Sequence, residues 1–176
     1  MMQALDKDLR GALEKTVKAA RTVAEAAAHA AVEQLGVGHD KPEAFLSDAE
    51  KALRNRLRTH GKQLGDARDS KSTNPTYGKQ EVQHLVQEVA YQHWHRMLFA
   101  RFLADNNLLM YDGVAVTIEE CDELASDEGA KTGWELAGKL AARMLPQVFK
   151  PGSPVFELTF APEHQRELER LLAALP

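Results

Sequence analysis

Apolar residues recur at spacings of three and four at the start of the chain, through Leu5, Leu9, Leu13, Val17, Ala20, Ala24, Ala27, Ala28, Ala31, Val32 and Leu35. That spacing lays one apolar stripe along a helical surface and predicts a first helix over about residues 3–35. The near-continuous alanine of 24–31 favours helix and lets a neighbour approach closely. Asp6–Arg10, Glu14–Lys18 and Arg21–Glu25 place opposite charges one turn apart on the other side. Gly36 and Gly38 are the expected stop.

A second helix is predicted from Ser47, where Ser47-Asp48-Ala49-Glu50 has the form of a capping box, to about His60, with Gly61 ending it. The stretch from Gly65 to Gly78, rich in Ser, Thr, Asn and Pro, reads as an exposed linker. From Lys79 to Asn106 a third helix carries two apolar faces. Val82, Leu85, Val86, Val89, Ala90, His93, Met97, Ala100 and Leu103 follow one, and Tyr91, Trp94, Leu98 and Phe102 follow the other. Apolar groups on two faces predict a helix buried on most sides.

Asp112-Gly113 between short apolar runs predicts a tight hairpin. Thr117-Ile118-Glu119-Glu120 and Thr132-Gly133-Trp134-Glu135 are capping-box patterns opening two short helices. Alternation over 155–160 predicts an isolated strand, and Pro162 opens a last helix running to about Leu175. The fold class is therefore mainly α: a helical bundle with a long N-terminal helix or helical hairpin, a buried central helix and one or two short β-strands. The expected divisions are an N-terminal helical hairpin (1–64), a linker (65–78) and a main helical body (79–176).

Composition changes this picture little. Hydrophobic residues form 44% of the 176 and charged residues 27%, as in an ordinary globular domain. One cysteine, Cys121, excludes an intramolecular disulfide and a cysteine-rich zinc site and fits a reducing compartment. No signal-peptide core or membrane-length apolar run occurs, so a cytoplasmic location without membrane contact is expected.

Charge adds more. The net charge of −4 conceals a basic stretch with Lys51, Arg54, Arg56, Arg58, Lys62, Arg68 and Lys71, and an acidic one from Asp112 to Glu135. Lys51, Arg54, Arg58 and Lys62 share one helical face, and such a row can track phosphates without reading sequence. These four, with Arg101, are the candidate DNA-binding residues; a solvated helix face is the plainer reading of the row.

Other chemistry is thin. Ser72-Thr73-Asn74-Pro75-Thr76-Tyr77 approaches the Asn/Asp-Pro-Pro-aromatic loop of amino-group DNA methyltransferases, but Thr76 stands where the second proline belongs, and no Gly-rich donor-binding turn precedes it. It reads as linker. His93 and His95 point about 200° apart on a helix and cannot share a metal ion. His93 and Arg96 are expected inside a satisfied hydrogen-bond network. No catalytic, cofactor or metal residue is assigned.

The segment Val89-Ala90-Tyr91-Gln92-His93-Trp94-His95-Arg96-Met97-Leu98-Phe99-Ala100-Arg101-Phe102-Leu103-Ala104-Asp105-Asn106-Asn107-Leu108-Leu109 resembles the aromatic, arginine-bearing helix near the N-terminus of class I adenine-specific (N6) DNA methyltransferases. These belong to bacterial restriction-modification and phage-defence systems, including the DISARM and BREX methylases. Thr117–Cys121 and Ala141–Pro146 are similar to the DISARM-type version, so the resemblance extends over about residues 81–176. It implies a parent enzyme that moves a methyl group from S-adenosylmethionine to adenine in duplex DNA. It also implies a catalytic domain C-terminal to this region as a partner, with other defence-system subunits, and no cofactor bound by this region itself. A standalone helical protein–protein interaction module is the alternative.

Overall fold

The computed structural model describes residues 4, 6–69 and 71–175. Among these, seven helices dominate: α1 (Lys7–Leu35), α2 (Asp48–Leu64), α3 (Gln83–Asp105), α4 (Ile118–Leu124), α5 (Gly133–Met144), α6 (Pro146–Phe149) and α7 (Pro162–Ala173). Two antiparallel pairs interrupt them, β1 (Arg68–Asp69) with β2 (Lys79–Gln80) and β3 (Met110–Tyr111) with β4 (Val114–Ala115). The chain is thus a mainly helical protein with two minimal hairpins. The start expected for the first helix at residue 3 lies outside the described residues.

Two compact units partition the chain. One comprises Met1–Arg21, His93–Pro151 and Arg166–Pro176; the other comprises Thr22–Gln92 and Gly152–Gln165. This division differs from the expected one, because residues 65–78 lie within the second unit and not between two bodies. The physical reason is that this segment is pinned by hydrogen bonds, described below.

In the second unit, the alanine face of α1 is buried as its spacing predicts, with Ala24, Ala27 and Ala28 fully inaccessible. Gly36 ends α1 at φ 66. Its N–H donates to Glu33 O (3.0 Å) and that of Val37 to Val32 O (3.2 Å), the paired bonds of a left-handed helix stop. Ser47 caps α2 with the full reciprocal box. The expectation that Gly61 ends this helix is corrected. The helix passes through Gly61 and stops at Gly65, at φ 111. Gly61 is instead a packing position, where a Cβ would lie 2.9 Å from Asp66 Oδ2 and 3.3 Å from Gln80 Nε2.

Asp66 is nearly inaccessible, at 3%. Its carboxylate accepts from the backbone N–H of His84 (2.9 Å) and Leu85 (3.1 Å), so it caps the first turn of α3 from outside the helix. The strand expected at 155–160 does not form. Pro154 opens a 3-10 turn to Phe156, and the Glu157 carboxylate takes both arms of the Arg56 guanidinium. A proline-initiated turn with no neighbouring edge to pair with leaves that alternation without a ladder.

In the first unit the core gathers Ala100, Leu109, Cys121, Leu136, Ala137, Ala141 and Phe149, all fully buried. The β3–β4 turn has Asp112 at φ 47 and Gly113 at φ 78, the two left-handed residues of a type I′ hairpin that its sequence predicts. Thr117 forms its full capping box. Thr132 accepts from Glu135 N, but the Glu135 side chain accepts from Lys131 N (3.0 Å) and not from the cap itself.

One face of α3 is buried, with Leu85, Val89 and Ala100 at 0% exposure, whereas Tyr91 and Phe102 on the second face stand 45% and 53% exposed. From residue 92 to residue 101 none is exposed, so the C-terminal half is buried or half-buried all round as expected, with Tyr91 and Phe102 as its exposed edges. Trp94 and Leu98 are half-buried between those exposed ends.

Cys121 sits at 0% exposure, and burial together with Glu120 and Asp122 pushes its thiol up to about 11. Little thiolate exists at neutral pH, and no approach path reaches the sulfur. Titration with a disulfide reagent is expected to find no fast-reacting thiol in the native chain and one thiol after denaturation; rapid stoichiometric labelling of native protein would contradict this burial.

Candidate functional site

The basic row on α2 is the natural place to look for a site, and its inner side is built from few apolar groups. Arg54, Leu57, Arg58 and Gly61 are its buried residues. The Arg54 and Arg58 side chains are 0% and 2% exposed. Arg54 donates from Nε to Gly36 O (2.9 Å), from Nη2 to His39 O (2.9 Å), and from Nη1 to Thr76 O (3.0 Å). Arg58 donates from Nη1 to Val37 O (2.7 Å) and His39 O (3.2 Å) and from Nε to Pro75 O (3.1 Å). Its Nη2 reaches Gly78 O (2.7 Å) and Tyr77 O (3.3 Å).

These carbonyls follow the end of α1 or lie in an irregular loop, so no ladder satisfies them. Two planar forks with five N–H donors each are suited to collect them. The expectation that Arg54 and Arg58 track DNA phosphates is thereby corrected, because their donors are engaged inside the protein and water does not reach them.

A third arginine continues the arrangement. Arg68 donates to Ser72 O (2.9 Å) and Asn74 O (2.7 Å), so the carbonyls of the 72–78 loop face guanidinium groups along nearly its whole length. Asn74 Oδ1 accepts from Thr76 N (3.0 Å) and Thr76 Oγ1 (2.8 Å), closing the turn. The stretch read as linker is a fixed loop closing the β1–β2 hairpin. Asn74 is exposed and Tyr77 is 40% exposed.

Nearby concavities are shallow. One is lined by residues 38–43 and Lys79, another by Glu25, His29, 81–83, Val86 and Gln87, and neither includes Asn74 or Tyr77.

Burial pushes the Arg54 guanidinium below its ordinary value, opposed by Glu43. It drives Arg58 down to about 10, helped by the charges of Arg54 and Arg68 and opposed by Asp40. Both stay charged at neutral pH. Neither these two nor Arg68 has a carboxylate within 4.0 Å among the described residues.

The other candidates lie elsewhere. Lys51 is half-buried and Lys62 exposed, at the two ends of the α2 row. Arg101, in the other unit, donates through both Nη atoms to the carbonyls of Leu172 and Leu175 and through Nε to Asp105 (3.2 Å). It closes the C-terminal end of α7, where a cation complements the helix dipole. Within the α2 row, then, only Lys51 and Lys62 present surface to solvent, and Arg54 and Arg58 turn inward. Arg96 lies against Gly138, where a Cβ would come 3.0 Å from its Nε. Burial pushes Arg96 down to about 10 against the opposing pull of Glu135. His93 is 9% exposed. Among the described residues no cluster of His, Cys, Asp and Glu is arranged to hold a metal ion.

Sequence reading placed Arg68 in the basic stretch without its role in holding the loop, and gave no role to Asp66 or to the imidazole of His39. His39 Nε2 lies 2.9 Å from Glu33 and its Nδ1 2.8 Å from Glu43. The hydrogen bonds to Glu33 and Glu43 raise its pKa above 6.5. Only the protonated ring donates to both carboxylates at once. A raised native pKa means this contribution is fully present below the unfolded value and disappears as pH climbs through the native one. The ring is more than a third exposed, so solvent screening holds the effect below about 1 kcal/mol. Urea titrations of the native chain and His39→Gln are expected to differ most at mildly acidic pH and to converge at mildly alkaline pH. A gap that widens with rising pH would reverse the assignment.

No protein-family model matches the chain, and no curated protein or solved structure matches it. No described helix is long and apolar enough to cross a membrane.

Proposed function

We propose that this chain is the non-catalytic N-terminal helical domain of an adenine-specific, S-adenosylmethionine-dependent DNA methyltransferase in a restriction-modification or phage-defence system, supporting the catalytic core and assisting duplex DNA binding. The observation that carries the reading is the 89–109 segment, whose aromatic and arginine-bearing pattern resembles that of these enzymes. The uses of its arginines support it. Arg101 closes α7 and Arg96 packs on α5, so the distinctive residues of the segment serve scaffolding. Methyl transfer, and the donor, belong in this reading to a separate catalytic domain.

Expressed with its flanking genes in a host lacking adenine methylation, the locus is expected to produce N6-methyladenine in host DNA. Deleting residues 1–176 is expected to abolish it. DNA that stays unmarked with every gene expressed removes the methyltransferase reading.

A further inference from the structure

The β3–β4 hairpin of the first unit turns one apolar side outward. Its register pairs Met110 with Ala115 and Tyr111 with Val114, and Val116 N donates to Leu109 O (2.8 Å). Alternation then puts Leu109, Tyr111, Val114 and Val116 on one side and Met110 and Ala115 on the other, where Leu108, two residues before Met110, continues the row. The first side meets the core, with Leu109 and Val116 buried. On the second side Leu108 stays 46% and Met110 37% exposed, and at the tip Val114 extends past the core, 65% exposed. Neighbouring apolar groups left in water mark a contact surface, whereas isolated ones need no explanation.

Charge indicates what covers this side. Residues 102–130 include eight acidic residues and no Lys, Arg or His. Asp112, Glu119, Glu123 and Asp127 are exposed, with no cation within 4.0 Å among the described residues. Several carboxylates lie at the hairpin itself. The Tyr111 phenol is held above its ordinary value first by its hydrogen bond to Glu128, then by burial and by the charges of Glu128, Asp112 and Asp127, so three carboxylates converge on one ring. Glu120 accepts from Thr117 N (2.8 Å), two residues beyond Ala115. The apolar side thus sits in an acidic frame. A second copy meeting it about a two-fold axis would bring the same carboxylates face to face, and phosphates are repelled likewise.

We infer that the outer side of the β3–β4 hairpin is a docking surface for a cationic, amphipathic helix of a partner protein. Leu108, Met110 and Val114 meet the apolar stripe of that helix, and Asp112, Glu119 and Asp127 meet its lysines or arginines. A helix suits this surface better than an added strand, because β3 and β4 are two residues long each and offer little edge to extend. The inference goes beyond the function proposed above and does not depend on methyl transfer.

The test uses the whole chain and a fluorescently labelled synthetic helix of about five turns, with leucine along one face and lysine on the rest. Two companion peptides replace the lysines by glutamate or the leucines by glutamine. Anisotropy is expected to show salt-sensitive binding of the lysine–leucine peptide, and binding at least about tenfold weaker for either companion. Leu108→Gln/Met110→Gln is expected to weaken binding about tenfold while keeping the salt dependence. Glu119→Gln/Glu123→Gln/Asp127→Asn is expected to weaken it about tenfold at low salt and to flatten the salt dependence. Asp69→Asn/Glu81→Gln/Glu163→Gln removes the same charge from exposed positions of the other unit and is expected to bind as the native chain does. All these side chains sit at the surface, so the variants should fold, which circular dichroism verifies.

A native chain that ignores the lysine–leucine peptide at low salt overturns the inference. Equal weakening in the control variant, or none in the two hairpin variants, overturns the location. Undiminished binding of the glutamine companion leaves bare charge attraction and overturns the apolar docking side; undiminished binding of the glutamate companion overturns the cationic partner. Light scattering that finds a dimer of the native chain, lost in Leu108→Gln/Met110→Gln, assigns the surface to a second copy and overturns the choice of occupant. The methylation assay judges the methyltransferase reading separately.

Discussion

Arg58→Lys is expected to damage the fold almost as much as Arg58→Ala, each lowering unfolding free energy by about 3–5 kcal/mol. Lysine keeps the charge but presents its three donors from one point. The native fork reaches five carbonyls, those of Val37, His39, Pro75, Tyr77 and Gly78. No single ammonium position satisfies carbonyls on both the α1 exit and the hairpin loop. Each buried oxygen left alone costs about 1–3 kcal/mol, offset in part only in Arg58→Ala, which also removes a charge that burial and two neighbouring arginines disfavour. Urea denaturation measures this directly. If Arg58→Lys proves too unstable to purify, Arg54→Lys carries the same comparison with fewer lost bonds. A lysine variant within about 1 kcal/mol of the native chain would mean that charge, and not the planar fork, holds these segments.

Gly133→Ala is the second large effect. Gly133 is the first residue of α5, and its N–H donates to Asp122 Oδ1 (2.7 Å). A Cβ there would lie 2.6 Å from Asp122 N, 2.7 Å from Ile118 O and 2.8 Å from Asp122 Cα. All three atoms are the backbone of α4, which cannot swing aside as a side-chain tip can. The helices must separate, opening the core around Cys121 and Leu136, and a loss of about 2–4 kcal/mol is expected. Gly11→Ala is the control. Nothing lies within 4 Å of that position, which is inside α1, and alanine should stabilise by up to about 1 kcal/mol. Equal and small effects at the two positions would mean that α4 and α5 do not cross as closely as described.

Local signals were the legible part of the sequence. The alanine face of α1, the capping residues Ser47, Thr117 and Thr132, and the Asp112-Gly113 turn each depend on neighbours within a few residues, and each forms where the spacing puts it. Long-range pairings were not legible. Gly61 looked like a stop because glycine usually is one, yet here it makes room for Asp66 and Gln80. Residues 155–160 alternate like a strand, but a strand exists only where an edge offers partners, and Pro154 with the Arg56–Glu157 pair settles a turn instead.

The inward turn of Arg54 and Arg58 was hidden for the same reason. A row of cations one turn apart looks alike whether it faces water or carbonyl oxygens contributed by residues 15 to 22 positions away. One clue was present: in the second half of α2, the apolar Leu57 stands beside Arg58 and one turn from Arg54, so the side that buries the leucine draws both arginines in with it.

The arginine-held loop has a practical consequence for anyone engineering this chain. By composition, 72–78 is where a tag, a cleavage site or new chain ends would be placed, since polar, Pro-containing surface stretches normally accept them. Here the peptide oxygens of that stretch are the partners of two inaccessible side chains, so lengthening or nicking it would strand those guanidiniums in the interior. The tolerant surface is better sought at the β3–β4 tip, where Gly113 has no atom within 4 Å of a would-be Cβ and Val114 stands 65% exposed.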